Sequence, residues 1–258
     1  MKSLWNSFVV AFSMYSKIPM PRADWTKDNM KYSMCFFPWV GLAIGALEYG
    51  WFLLASWMGL GKLLQTAVMV ILPILVTGGI HLDGLLDTSD AMSSWRERER
   101  RLEILKDSHA GAFAVIIGIC YFVLCFGAAG EVNRDTLPVL CLGFGLSRTF
   151  SALSVENFPN ANPRGTAAAF GSNSLKRRVN ATMVVYLLLF AIAGILMNPL
   201  QGILLMAAAA LTFAYYHHMA LKYFGGITGD LAGFYVSLAE LMMLLTVTVG
   251  DRIAGMIG

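Results

Sequence analysis

Charge is scarce in this chain. Only 14% of its residues are charged while 57% are hydrophobic, and the mean hydropathy is +0.63. A soluble domain carries roughly 25% charged and 45–50% apolar residues, so the composition excludes a water-soluble core and fits a lipid solvent. Net charge is also small, at +3, which leaves no case for nucleic-acid binding. Cysteine pairs are missing. Cys35, Cys120, Cys125 and Cys141 lie in apolar runs without a CxxC and without histidines at zinc-ligand spacing. They read as small buried hydrophobes rather than disulfides or a structural zinc site. No small-residue cleavage site follows the apolar stretch 4–15, and Pro19 and Pro21 break its pattern, which argues against a signal peptide. About a dozen residues cannot cross a ~30 Å hydrocarbon core. The stretch is expected to be an interfacial or re-entrant helix, with Trp5 and Tyr15 at the interface. No repeat, linker or composition break divides the chain, so residues 1–258 read as one integral membrane domain.

What is present is a series of long apolar segments: 35–58, 64–80 (with a continuation through Asp90 left open), 111–130, 137–155, 181–197, 200–221 and 231–250. Each is near the ~20 residues of a membrane helix. The expectation is an all-α polytopic helix bundle of about seven spans plus the N-terminal interfacial or re-entrant helix. Asn198–Pro199 leaves almost no loop between the fifth and sixth spans, which predicts a tight hairpin. With the N-terminal arm in the cytoplasm and strict alternation, sixteen of the nineteen lysines and arginines fall on the cytoplasmic side. Only Lys62, Arg134 and Arg252 fall opposite. This asymmetry sets the orientation and an odd number of spans.

The chemistry concentrates in one stretch, TGGIHLDGLLDTSDAMSSWRERERRLEILKDSHAG, residues 77–111. An ionisable group in lipid costs about 2.5–3.5 kcal/mol on insertion scales. Asp83, Asp87 and Asp90 stand at i, i+4 and i+7, within an arc of about 60° on one helix face. Carboxylates that close resist joint ionisation without a cation, and Mg²⁺ is the hard cation that oxygen ligands suit. The alternative is that the acids cap a helix or pair with Arg96, Arg98, Arg100 and Arg101. That accounts for one acid but not for the common face of three. Asp107 opens the next span and can join the same site if the two helices pack together. Metal-holding carboxylates beside cations suit phosphoryl transfer, with Arg100 and Lys106 placed to hold a diphosphate or a leaving nucleotide. A second feature, Gly225-Gly226-Ile227-Thr228-Gly229-Asp230, is either a phosphate-binding turn at a helix N-terminus or a plain turn with Thr228 or Asp230 as N-cap. Glu240 is expected to face the bundle interior. Glu48 is similarly placed without an assigned role, and His217 and His218 read as solvated interface residues.

These runs resemble the cobalamin-5′-phosphate synthases, the adenosylcobinamide-GDP ribazoletransferases. GGIHLDGLLDTSDA and RRLEILKDSHAG carry the resemblance. Ser16-Lys17-Ile18-Pro19-Met20-Pro21, Phe37-Pro38-Trp39-Val40-Gly41, Ser147-Arg148 and GGITGD followed by Glu240 support it in order along the chain. The resemblance implies a Mg²⁺-dependent membrane enzyme of late cobalamin nucleotide-loop assembly, in a bacterial or archaeal cytoplasmic membrane with its site facing the cytoplasm. Its substrates would be adenosylcobinamide-GDP and α-ribazole or its 5′-phosphate, with GMP released. Substrate-binding candidates in the matched runs are His81, Arg100, Lys106, Ser108, Arg148, Gly226, Thr228, Asp230 and Glu240. Mg²⁺ would sit on Asp83, Asp87 and Asp107, and Asp90 or Asp107 would take the proton. That division of roles comes from geometry and not from the family pattern. Two departures are Ala91, where many relatives have glycine, and the stretch at Asn162, where relatives often carry a basic residue and the nearest here is Arg164. A CDP-alcohol phosphotransferase is the nearest alternative, but Asp83-Gly84 lacks the Ala-Arg that should follow it. A cation- or proton-coupled transporter, drawing on Asp83, Glu48 and Glu240, would place its acids at the midplane rather than at one end. A homo-oligomer is left open.

Overall fold

The computed structural model describes residues 2–107 and 109–257. In chain order its helices are α1 (Lys2–Tyr15), α2 (Lys27–Met30), α3 (Ser33–Trp57), α4 (Lys62–Thr77), α5 (Ile80–Ser93), α6 (Arg98–Ile104), α7 (Ala112–Gly130), α8 (Leu137–Asn157), α9 (Thr166–Asn173), α10 (Lys176–Met197), α11 (Pro199–Phe224) and α12 (Gly229–Ile257). Helices α3, α7, α8, α10, α11 and α12 are long and apolar enough to cross a bilayer. Helices α4 and α5 together make a seventh candidate span, bent by 94°. The all-α bundle of about seven spans is therefore what the chain forms. Helices α8 and α12 are the most enclosed, while α7 and α10 turn most of their surface outward.

The bend is the main departure from the apolar pattern. Segment 64–80 does not run straight on through Asp90. It stops at Thr77, and Gly78 and Gly79 both take left-handed backbone, with φ of 67° and 81°. Glycine adopts that region without the Cβ clash that other residues suffer. The acids therefore ride on a separate helix, α5, which packs chiefly against α12 and α7.

Interhelix ties separate the bundle into two ends. At one, Lys62 Nζ donates to Val132 O at 2.7 Å, Arg252 pairs with Glu131, and Asn133 and Gln201 both donate to Asp251. At the other end Leu175 N–H donates to Lys31 O, and Ala161 and Ile227 join the 158–165 loop to the α11–α12 turn. Helix α1 does not cross the bundle. Ser3 and Ser7 donate to Asp28 and Asn29 just before α3, while Lys17 N–H reaches Val76 O near the α4–α5 turn, so both of its ends are held toward that second end. The expected α10–α11 hairpin forms, with the Asn198 side chain accepting from Gln201 N–H at the start of α11.

Candidate active site

At the end that gathers the loops, α5 lies against the start of α12. Gly84 makes this possible, since a Cβ there would strike the Asp230 carbonyl. The contact brings two segments that are far apart in sequence into one site. Asp87 lies within Coulombic reach of Asp83, Asp90 and Asp230, and Asp83 and Asp230 also feel one another. Thr228 starts α12, its Oγ1 accepting from Leu231 N–H at 3.2 Å and donating to Asp230 Oδ2 at 3.3 Å. The preceding turn is pinned by Ile227 N–H to Pro159 O at 2.8 Å and by Ala161 N–H to Ile227 O at 2.9 Å. In GGITGD the N-cap forms at Thr228.

Asp90 is employed differently from its neighbours. Its carboxylate accepts from Gly111 N–H at 2.5 Å and Ala114 N–H at 2.9 Å, closing the start of α7. It serves that helix as a cap placed from outside the helix. Both of its carboxylate oxygens are thus engaged by backbone donors of the α7 start rather than left open to a substrate hydroxyl. Asp107 is not gathered into the cluster. It is exposed, and hydrogen bonds from the ring and backbone N–H of His109 hold its carboxyl below the ordinary carboxylate range. Ser108 lies outside the described residues. Among the described residues no three acidic, histidine or cysteine side chains converge on one metal-sized point, so Asp83, Asp87 and Asp107 do not form a preformed three-ligand site.

The cations are arranged otherwise than their spacing suggested. Arg100 turns away and pairs with exposed Glu103 at 2.6 Å, and Lys106 is exposed. Arg98 and Arg101, three apart and so on one face of α6, point to the α11–α12 turn instead. The Arg98 guanidinium covers Gly225, where a Cβ would strike it, and Arg101 stacks 4.7 Å over the Tyr223 ring. A cleft of about 560 Å³ opens beside the cluster, lined by Lys17, the Gly78–Gly79 turn and Asp83. Among the described residues neither Lys17, Arg98, Asp83, Asp87 nor Asp230 enters an ion pair. Nothing local marked Lys17, which arrives through the path of the arm after α1.

Arg148 belongs to the bundle interior and not to the basic end. It is 1% exposed, paired with Glu240 and bonded to Phe144 O at 2.8 Å, and Ser147 also donates to Glu240 at 3.0 Å. Arg148 and Glu240 thus pair inside the bundle, Glu240 lying ten residues along α12 from Asp230. His81 is buried above them, beside the rings of Tyr15 and Phe37 at 6.1 and 5.8 Å. Gly226 and Glu48 are buried as well, Gly226 within the pinned turn.

The fold and site define a polytopic helical membrane protein with a carboxylate cluster and unpaired cations at one end. The chain belongs to the cobalamin-5-phosphate synthase family, whose model matches residues 7–248. It is 41% identical to an adenosylcobinamide-GDP ribazoletransferase of Lachnoclostridium phytofermentans, over 96% of this chain and 95% of that one. Proteins of the same name from Desulfitobacterium hafniense and Clostridium botulinum are 34% and 32% identical, each over 95% of this chain and over 96% and 98% of their own lengths. No solved structure matches the chain.

Proposed function

We propose that the chain transfers the cobinamide-phosphate group of adenosylcobinamide-GDP to α-ribazole or its 5′-phosphate, releasing GMP, at the end that carries Asp83, Asp87 and Asp230. The observation behind this reading is the approach of α5 to α12 at Gly84, which joins acids from two helices beside unpaired cations. A ribose hydroxyl of the acceptor attacks the phosphorus bonded to cobinamide. The bond from that phosphorus to the GMP oxygen breaks, GMP leaves, and the hydroxyl proton passes to Asp230. Lys17 and Arg98 offset the charge on the diphosphate and the departing GMP.

The donor set suits Mg²⁺. That ion is commonly held by one or two carboxylates, with substrate phosphates completing its shell, and so does not require a three-ligand cage. Asp83 and Asp87 would hold it. When bound it would supply positive charge to the diphosphate oxygens. The end carrying the site also carries most of the basic residues, which supports a cytoplasmic orientation.

The test is GMP release from adenosylcobinamide-GDP plus α-ribazole in detergent, with and without Mg²⁺, by wild type and Asp87→Asn. Mg²⁺-dependent release that the variant loses while remaining monodisperse supports the reading. Release that ignores Mg²⁺ removes the metal, and the absence of release in every condition removes the activity.

A further inference from the structure

Beneath the acids, inside the bundle, lies a second cavity of about 110 Å³. A single water needs roughly 10–15 Å³ measured the same way, so the space is several waters large. It runs along α4 from Met69 to Thr77 and along α12 from Ser237 to Leu244, a length of about 10–12 Å at 1.5 Å per residue. Its wall is mostly apolar, yet three buried polar groups on it have no partner: His81 Nε2, Arg148 Nε and both carboxyl oxygens of Glu48. Their residues are 8%, 1% and 3% exposed. Buried polar atoms left unpaired are costly, so the cavity is built for something that offers hydrogen bonds at a few points and apolar surface elsewhere. Such walls, apolar with a few convergent polar groups, are those of small-molecule sites.

Thr77 and Leu82 line both this cavity and the open cleft at Asp83. The two spaces are therefore back to back across the α4–α5 bend. A molecule with an apolar ring and a polar tail can place the ring below this wall and the tail above it.

We propose that the cavity takes the heterocyclic base of the acceptor, a fused aromatic ring with one free acceptor nitrogen. The inference rests on the ribazole-transfer reading for the identity of the ring. The Arg148 Nε–H meets the ring nitrogen, since it is the unpartnered donor of fixed sign. The sugar rises past Thr77 and Leu82, which brings its hydroxyls to the acids. An apolar base then has a lipid-depth pocket while the phosphates stay at the polar end, which gives the reaction a physical reason to occur in a membrane protein.

The experiment is equilibrium binding of α-ribazole to the full chain in lipid nanodiscs without the nucleotide substrate, together with KM for each substrate. Free benzimidazole is expected to compete with α-ribazole, and ribose 5-phosphate is not. Ser237→Leu and Leu241→Trp, which fill the cavity, are each expected to weaken α-ribazole binding at least tenfold, with the KM for adenosylcobinamide-GDP changed less than threefold. Leu211→Phe on the outward face of α11 (72% exposed) is expected to bind as wild type does. Failure of benzimidazole to compete in the wild type overturns the proposal without recourse to any variant. Transfer activity with an unchanged ribazole KM in both cavity-filling variants overturns it and leaves the transfer reading standing. Benzimidazole binding that the fillers abolish, in a protein that releases no GMP, keeps the cavity site and sinks the transfer reading.

Discussion

Asp90 and Arg148 show how little a residue's type says about its task in this bundle. Asp90 shares a helix face with Asp83 and Asp87, yet its oxygens are engaged by the N–H groups of Gly111 and Ala114. Loss of such a cap costs about 1 kcal/mol. Asp90→Ala is expected to lower the melting temperature of the detergent-solubilised protein, while Asp90→Asn, whose amide oxygen still accepts, stays closer to wild type. Equal destabilisation by both would make charge, and not the hydrogen bonds, the operative feature. For the Arg148–Glu240 pair, removing one partner strands a buried charge, at a cost of about 3–5 kcal/mol. Glu240→Ala is therefore expected to be strongly destabilising, and the double replacement Arg148→Met with Glu240→Leu to recover much of the loss, as read from unfolding in a mixed-micelle titration. Strict additivity of the two single effects would contradict the pairing. From sequence alone, both residues are substrate-binding candidates and their pairing with each other is not visible. The reason is that a buried pair between α8 and α12 joins positions about ninety apart, and no local pattern marks it.

At the scale of elements, the site depends on how α5 leaves α4 and meets α12. Gly78 and Gly79 make the 94° bend, and Gly84 lets α5 lie on the Asp230 backbone. Gly84→Val is expected to hold the helices apart, reducing GMP release by one to two orders of magnitude while circular dichroism keeps its helical signal. Activity near wild type would mean that the acids of α5 and α12 need not meet. Gly78→Ala forces left-handed backbone on a residue with a Cβ, at about 1–3 kcal/mol, and the side chain would also strike Lys17. The acid stretch was legible as a site because three aspartates on one face of an apolar helix have few uses. The hinge was not, since glycine pairs in membrane helices serve close packing as readily as turns. Nor was the selection of Arg98 and Arg101 over Arg100. That choice depends on which face of α6 meets α11, and the surface of a seven-residue helix carries little periodic signal.

At the scale of the whole molecule, the apolar runs made the number of spans legible, because a segment of ~20 residues has one stable home in a bilayer. The one misplaced basic residue, Arg148, leaves the charge asymmetry intact. Single cysteines at Glu97 and at Lys62, in a background lacking the native four, test the resulting orientation. Glu97→Cys is expected to react with an impermeant maleimide only from the cytoplasmic side, and Lys62→Cys only from the other; labelling of both from one side would contradict the span count. The central claim is that acids from α5 and α12 act as one site. Its most direct test is kcat/KM for GMP release in wild type, Asp87→Asn, Asp230→Asn and the double variant. Groups that act as a unit are non-additive. The account predicts that each single change costs about 10²–10⁴-fold and that the double variant is little worse than the poorer single. Losses that multiply, or an Asp230→Asn enzyme as active as wild type, would contradict it.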